Sequence, residues 1–211
     1  REKRLIGLSH SGREINGNYY RKSEAIMKSD LAAIDIFIEY YNNFYPEKTK
    51  NYKLVDYLYI MQHYDVPTRL LDFSRNEFTS LYFSVESSSR IHRSDEKDEK
   101  DEIEDFMKND GYSEKGSSIH LIDPVFTNKN SNEFKNIKDN ILNIDDINID
   151  VLSKIYHPLC IETKNNDSRI VNQDGVFVLF GVNYKSYEEY EIFNPKTTKI
   201  FIPNSCRESI K

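Results

Sequence analysis

The chain has 211 residues, 38% of them hydrophobic and 30% charged, with a formal net charge of −6 at pH 7. That length supports one domain with a sizeable core, and the composition is globular rather than disordered. It excludes an apolar run of the ~20 residues needed to cross a bilayer, a disulfide framework, since Cys160 and Cys206 are the only cysteines and neither sits in a CxxC pair, and a global electrostatic pull towards nucleic acid or anionic membrane.

The N-terminal stretch REKRLIGLSHSG lacks the apolar core of a signal peptide. The expected setting is therefore the cytoplasm, with both thiols reduced. No Cys/His cluster has zinc-ligand spacing, so no metal is expected. Residues 1–20 are polar and carry three glycines, which predicts loop with one short strand. From Ser23 to Phe44 the positions Ile26, Met27, Leu31, Ile34, Phe37, Ile38 and Tyr41 recur at spacings of three and four. This predicts an amphipathic helix of about six turns, followed by Pro46.

A second helix is predicted from Lys53 to Tyr64, and Pro67 ends it. Thr68 to Phe73 reads as a short buried strand, and Asn76 to Val85 as a third helix packing Phe78, Leu81, Tyr82 and Val85. Residues 87–116 are dominated by charge and read as a polar, partly helical and mobile surface insertion. Beyond it, Ser118–Ile122 is expected to be a strand, Asn128–Asn148 loop with helical pieces, and Ile149–Tyr156 a short helix. VFVLF (Val176–Phe180) is the clearest strand. Lys199–Ile202 is another, and the chain stops inside a helix capped by Asn204 or Ser205, with Glu208 at capping-box spacing. That last feature suggests a truncated C-terminal element. The elements read as an α+β single domain over residues 1–211, with no repeating βαβ unit and no glycine-rich nucleotide loop.

The run MQHYDVPTRLLDFSRNEFTSLYFS (Met61–Ser84) sets polar residues inside an apolar stretch. Arg69 and Asp72 on a strand flanked by leucines enter partly buried surroundings, which costs several kcal/mol, on the order of five, unless each is paired. One reading makes them structural: both bond to backbone or an opposite charge and lock the turn after Pro67. The other makes the strand end the floor of a pocket. Arg69 then suits a phosphate, and Asp72 and Ser74 orient a ribose or an attacking group. His63 closes the second helix and is either a helix-end cation or part of the same site. A second polar group, Arg169 and Gln173, precedes the strand at 176–180, with Gly175 between. It is either a plain hairpin turn or a site rim.

These residues resemble the FRG domain family. QHYDVPTRLLDFS is similar to its signature Q-H-x-G-x-P-T-R-L-L-D-W-T, on Gln62, His63, Pro67, Thr68, Arg69, Leu70, Leu71 and Asp72, with Phe73 for tryptophan and Ser74 for threonine. RIVNQDGVF resembles a second signature, on Arg169, Gln173, Gly175 and Phe177, and KIFIP resembles the short strand that follows it. Asp65 stands where the family has glycine. The Phe-Arg-Gly motif that names the family is not intact ahead of KRLIGLSHSGR: Arg1 is its remnant, or the motif lies outside this chain.

The resemblance implies a distant relative of ADP-ribosyltransferases, in which small twisted sheets form a cleft around NAD with N-terminal helices packed on them. It implies a bacterial toxin or effector of phage defence or of a toxin–antitoxin system. NAD would be the substrate and no metal would be involved. An antitoxin or regulatory protein would be a partner, and nucleic acid a candidate acceptor at a patch made by Arg69, Arg75, Arg90 and Arg93. Arg69, Asp72 and Gln173 would then be catalytic, and His63, Thr68, Ser74, Arg169 and Arg1 would bind the dinucleotide. The alternative is a non-catalytic module that holds a nucleotide or a partner without turnover.

Overall fold

The computed structural model describes residues 14–15, 18–19, 23–64, 66–86, 98–108, 116–131, 142–143, 147–162, 171–181 and 187–210. It is an α+β fold. Strands β1 (Glu14–Ile15) and β2 (Asn18–Tyr19) form a small antiparallel ribbon. Helix α1 (Ser23–Phe44) follows with the predicted bounds. Pro46 does not merely stop the chain after α1. It opens a short helix α2 (Pro46–Thr49), where its missing N–H is no loss. Helix α3 (Leu54–His63) then leads into strand β3 (Leu70–Ser74) and helix α4 (Glu77–Glu86). The side chain of Asn76 starts α4 by accepting from the N–H groups of Phe78 and Thr79, at 2.9 and 3.1 Å.

Helix α5 (Asp98–Lys108), strand β4 (Ser117–Ile122), helix α6 (Pro124–Asn130), strand β5 (Leu142–Asn143) and helix α7 (Ile149–Lys154) come next. They are followed by β6 (Leu159–Glu162), β7 (Gly175–Leu179) and β8 (Thr197–Ile202). The chain ends in a 3-10 turn at Asn204–Cys206 and a helical turn at Arg207–Ile210. The capping box expected of Ser205 and Glu208 falls on side chains outside the described residues. No described helix is long and apolar enough to cross a membrane.

The central sheet has the order β3-β7-β6-β5. β7 runs antiparallel to both β3 and β6, and β5 parallel to β6. Its strands are covered on both faces, which explains why β7 is apolar at successive positions rather than alternating. Leu70, Leu159, Ile161, Phe177 and Leu179 pack with Ile34 of α1, Val55, Leu58 and Met61 of α3, and Leu152 of α7. The residues between them turn the other way. Cys160, Val178 and Phe180, joined by Leu71 and Phe73, pack with Tyr187, Tyr190 and Phe193. β4 and β8 form a separate antiparallel pair.

The fold also departs from expectation in β6, α4 and α5. β6 is not predicted because its four residues are too few to show an alternation. On α4 the predicted stripe is only half buried: Val85 is in the core, but Phe78 and Tyr82 are 72% and 55% exposed. Within 87–116, α5 is tied into the fold rather than solvated all round. Glu102 is 1% exposed and Phe106 stacks on Phe201 of β8 at 4.5 Å.

Candidate functional site

The two polar groups singled out in the sequence meet at the β3–β7 seam. The register sets Leu70 opposite Leu179, Asp72 opposite Phe177 and Ser74 opposite Gly175. About 100 residues of chain are thereby closed into one antiparallel pair. The Ser74 hydroxyl donates to the carbonyl of Gln173 at 2.6 Å, and the backbone N–H of Arg75 donates to the carbonyl of Asp174 at 3.0 Å. The turn carrying Gln173 is thus pinned to the end of β3. Asp174 completes it with φ of +46°, a left-handed conformation that Asp tolerates better than most residues.

Arg69 goes inward. It is 1% exposed, its Nε donates to Asp30 Oδ2 on α1 at 2.5 Å, and its Nη1 donates to the carbonyl of Leu152 on α7 at 2.9 Å. One guanidinium thereby joins α1, α7 and the start of β3. Its Nη2 has no hydrogen-bond partner among the described residues. Burial pushes the Asp30 carboxyl above its ordinary range, and the Arg69 charge and hydrogen bond only partly oppose this. Arg69 therefore belongs to no surface basic patch, and Arg90 and Arg93 lie outside the described residues.

Asp72 stays exposed, on the same strand face as Leu70 and Ser74. Above it, the Gln62 amide of α3 donates from Nε2 to Asp72 Oδ2 at 3.3 Å and to the Leu70 carbonyl at 3.4 Å. Thr68 is buried. Its hydroxyl donates to Gln62 Oε1 and accepts from the Leu70 N–H at 3.2 Å. His63 is exposed at the end of α3, with its ring edge-on to Tyr64 at 5.2 Å. Tyr59 lies against Phe177, its ring centroid 4.6 Å away, and burial raises its hydroxyl pKa far above the ordinary tyrosine range. Arg169 and Arg1 lie outside the described residues.

At the outer end of the seam, Arg75 is engaged by two carboxylates. Its Nε and Nη2 donate to Asp174 Oδ1 at 2.9 and 2.8 Å, and its Nη1 to Glu162 Oε1 at 2.6 Å. Three strands, β3, β6 and β7, are stapled there. Among the described residues, no group of three or more His, Cys, Asp or Glu side chains converges to hold a metal.

Sequence reasoning passed over Asp30, Gln62 as a site residue, and Asp174 and Glu162 as the partners of Arg75, which was read only as part of a basic patch. Asp30 did carry a signal. It lies four residues before Ile34 and so falls on the apolar stripe of α1, where a carboxylate needs a partner.

The comparisons with known proteins bear on this same stretch. Residues 7–109 match the family model of the FRG domain. Over those residues the chain belongs to the FRG domain family. The matched segment holds α1, α3, β3 and α4, and with them the Arg69–Asp30 pair and the Gln62–Thr68–Asp72 network. Gln173 lies beyond the FRG match and joins it through β7. No curated protein and no solved structure matches the chain.

Proposed function

We propose that this FRG domain cleaves NAD and transfers ADP-ribose, acting in the cytoplasm as a toxin or effector of bacterial defence or of a toxin–antitoxin system. The observation that carries this reading is the β3–β7 seam. It sets an exposed carboxylate, Asp72, two residues from Ser74, and Ser74 is bonded to the backbone of Gln173.

In this reading the bond between nicotinamide and the ribose C1′ breaks, and nicotinamide leaves with the electron pair. Positive charge develops on the ribose, as in glycoside hydrolysis, and the Asp72 carboxylate offsets it. Gln173 and Ser74 orient the ribose and the acceptor. The acceptor oxygen or nitrogen then attacks C1′, forms the new bond there and releases its proton to solvent. Nucleic acid is one candidate acceptor class, and an antitoxin or regulatory protein the expected partner. Arg69 is already bonded to Asp30 and Leu152, so its part is to hold the floor of the site rather than to grip pyrophosphate. That grip is assigned to His63, Arg169 and Arg1.

A second reading, a binding module without turnover, is favoured by the buried and already paired guanidinium of Arg69. Purified protein incubated with labelled NAD and a panel of RNA, DNA and protein acceptors separates the two. Nicotinamide release with label transfer, lost in Asp72→Ala, is the expected result. A thermal shift with NAD but no nicotinamide release supports the binding module.

A further inference from the structure

We infer that Gln62 is a positioning residue for Asp72, with Thr68 setting which way its amide faces. The inference deepens the proposed transferase reading and rests on it. The backbone N–H of Leu70 donates to Thr68 Oγ1 at 3.2 Å. A hydroxyl oxygen that accepts there has its own proton free for another acceptor, and that proton goes to Gln62 Oε1. The oxygen end of the amide is therefore fixed, and the NH2 end must face the strand. Its two protons reach the Leu70 carbonyl at 3.4 Å and Asp72 Oδ2 at 3.3 Å.

The chain of bonds thus leaves Leu70 at its N–H and returns at its carbonyl, holding the amide in one orientation. Rotation of Gln62 would break several bonds at once. The one branch out of this ring ends on the exposed carboxylate that the proposed chemistry needs. Gln62 touches neither substrate nor reacting atoms in this scheme. It fixes where one carboxylate oxygen sits, and small misplacements of a charge from its developing partner are costly in rate.

The test is steady-state nicotinamide release from NAD by the full chain. Gln62→Leu removes the donor to Asp72. Gln62→Glu keeps the side-chain length and the acceptor for Thr68, but sets a second negative charge against Asp72. Both variants are expected to lower kcat about ten- to a hundredfold with KM for NAD within about twofold. Urea midpoints of each variant separate a folding defect from this effect, and Gln62→Glu carries the test if Gln62→Leu does not fold. In an Asp72→Asn background, single-turnover rates should show little further loss from either Gln62 change. Equal losses in both backgrounds, or a loss confined to KM, overturn the inference while leaving the transferase reading in place. Absence of nicotinamide release by the wild-type chain overturns both.

Discussion

Arg69 and Asp30 form a buried ion pair at 2.5 Å, with side chains 1% and 6% exposed, across 39 residues of sequence. The pair ties the start of the central sheet to α1. Removing one member strands a charge in the interior, which costs about 3–5 kcal/mol. Asp30→Ala should therefore lower the unfolding free energy by about that amount in urea titrations. A loss below about 1 kcal/mol would show that the guanidinium is compensated elsewhere.

The same pair predicts a pH dependence. Burial raises the Asp30 carboxyl above its ordinary value of 3.8, against the pull of Arg69. The folded protein then holds this proton to higher pH than the unfolded chain. Its contribution is complete below 3.8 and is lost as pH rises through the elevated value. Asp30→Asn cannot titrate, so the stability of wild type minus that of Asp30→Asn should fall as pH rises from 3.8 through the elevated value. A difference that grows with pH over this range would mean that the attraction of Arg69 outweighs burial.

Arg75 makes the opposite case. Its bonds to Asp174 and Glu162 are short, but the side chains are 46% and 44% exposed. Exposed pairs are worth about 1 kcal/mol or less, so Arg75→Ala should hardly move the urea midpoint. If the Gln173 turn serves the chemistry, nicotinamide release should fall far more than stability does. Asp174→Gly, which suits the positive φ, should keep more stability than Asp174→Ala. Equal stability of these two variants would show that the turn does not depend on that conformation.

These contrasts mark what could be read from the sequence. α1 and β7 were legible because their patterns are long or wholly β-branched and aromatic, and tertiary packing agrees with them. The meeting of the β3 end with the Gln173 turn was legible only through the order of two signatures, since nothing local pairs strands about 100 residues apart. The direction of Arg69 was not legible. A strand pattern fixes which face a side chain leaves from, but not whether a long guanidinium turns in to a carboxylate on another helix. β6, at four residues, offered no period to detect. The polarity of α5 hid Glu102, whose burial depends on a partner 102 residues away.

Glu102 is a buried carboxylate with a specific task. Its Oε2 accepts from the backbone N–H of Asn204 at 2.8 Å and its Oε1 from Asn204 Nδ2 at 3.1 Å. It thereby caps the first turn of the C-terminal segment from α5. Glu102→Ala leaves the part-buried N–H of Asn204 without this acceptor, at a cost of about 1 kcal/mol. Hydrogen exchange at residues 204–210 should accelerate more than exchange in β7. Uniform acceleration across the chain would show that α5 supports the whole fold rather than this end.

Cys160 supplies a chemical test of the sheet's second face. It is 5% exposed between Val178 and Tyr187, and its backbone N–H and carbonyl are both taken by the side chain of Asn128, at 2.7 and 2.9 Å. Burial pushes its thiol pKa up to about 12. Thiolate is the reactive form, so at pH 8 native Cys160 should resist a disulfide-exchange reagent and react promptly once unfolded in urea. Cys206 is only partly buried, so it should react with the reagent first and give one fast thiol per native chain. Asn128→Ala removes both bonds to the β6 backbone and should speed native Cys160 labelling by exposing the strand to local opening. Two fast thiols in the wild-type protein would mean that this face opens readily and that β6 is not a firm member of the sheet.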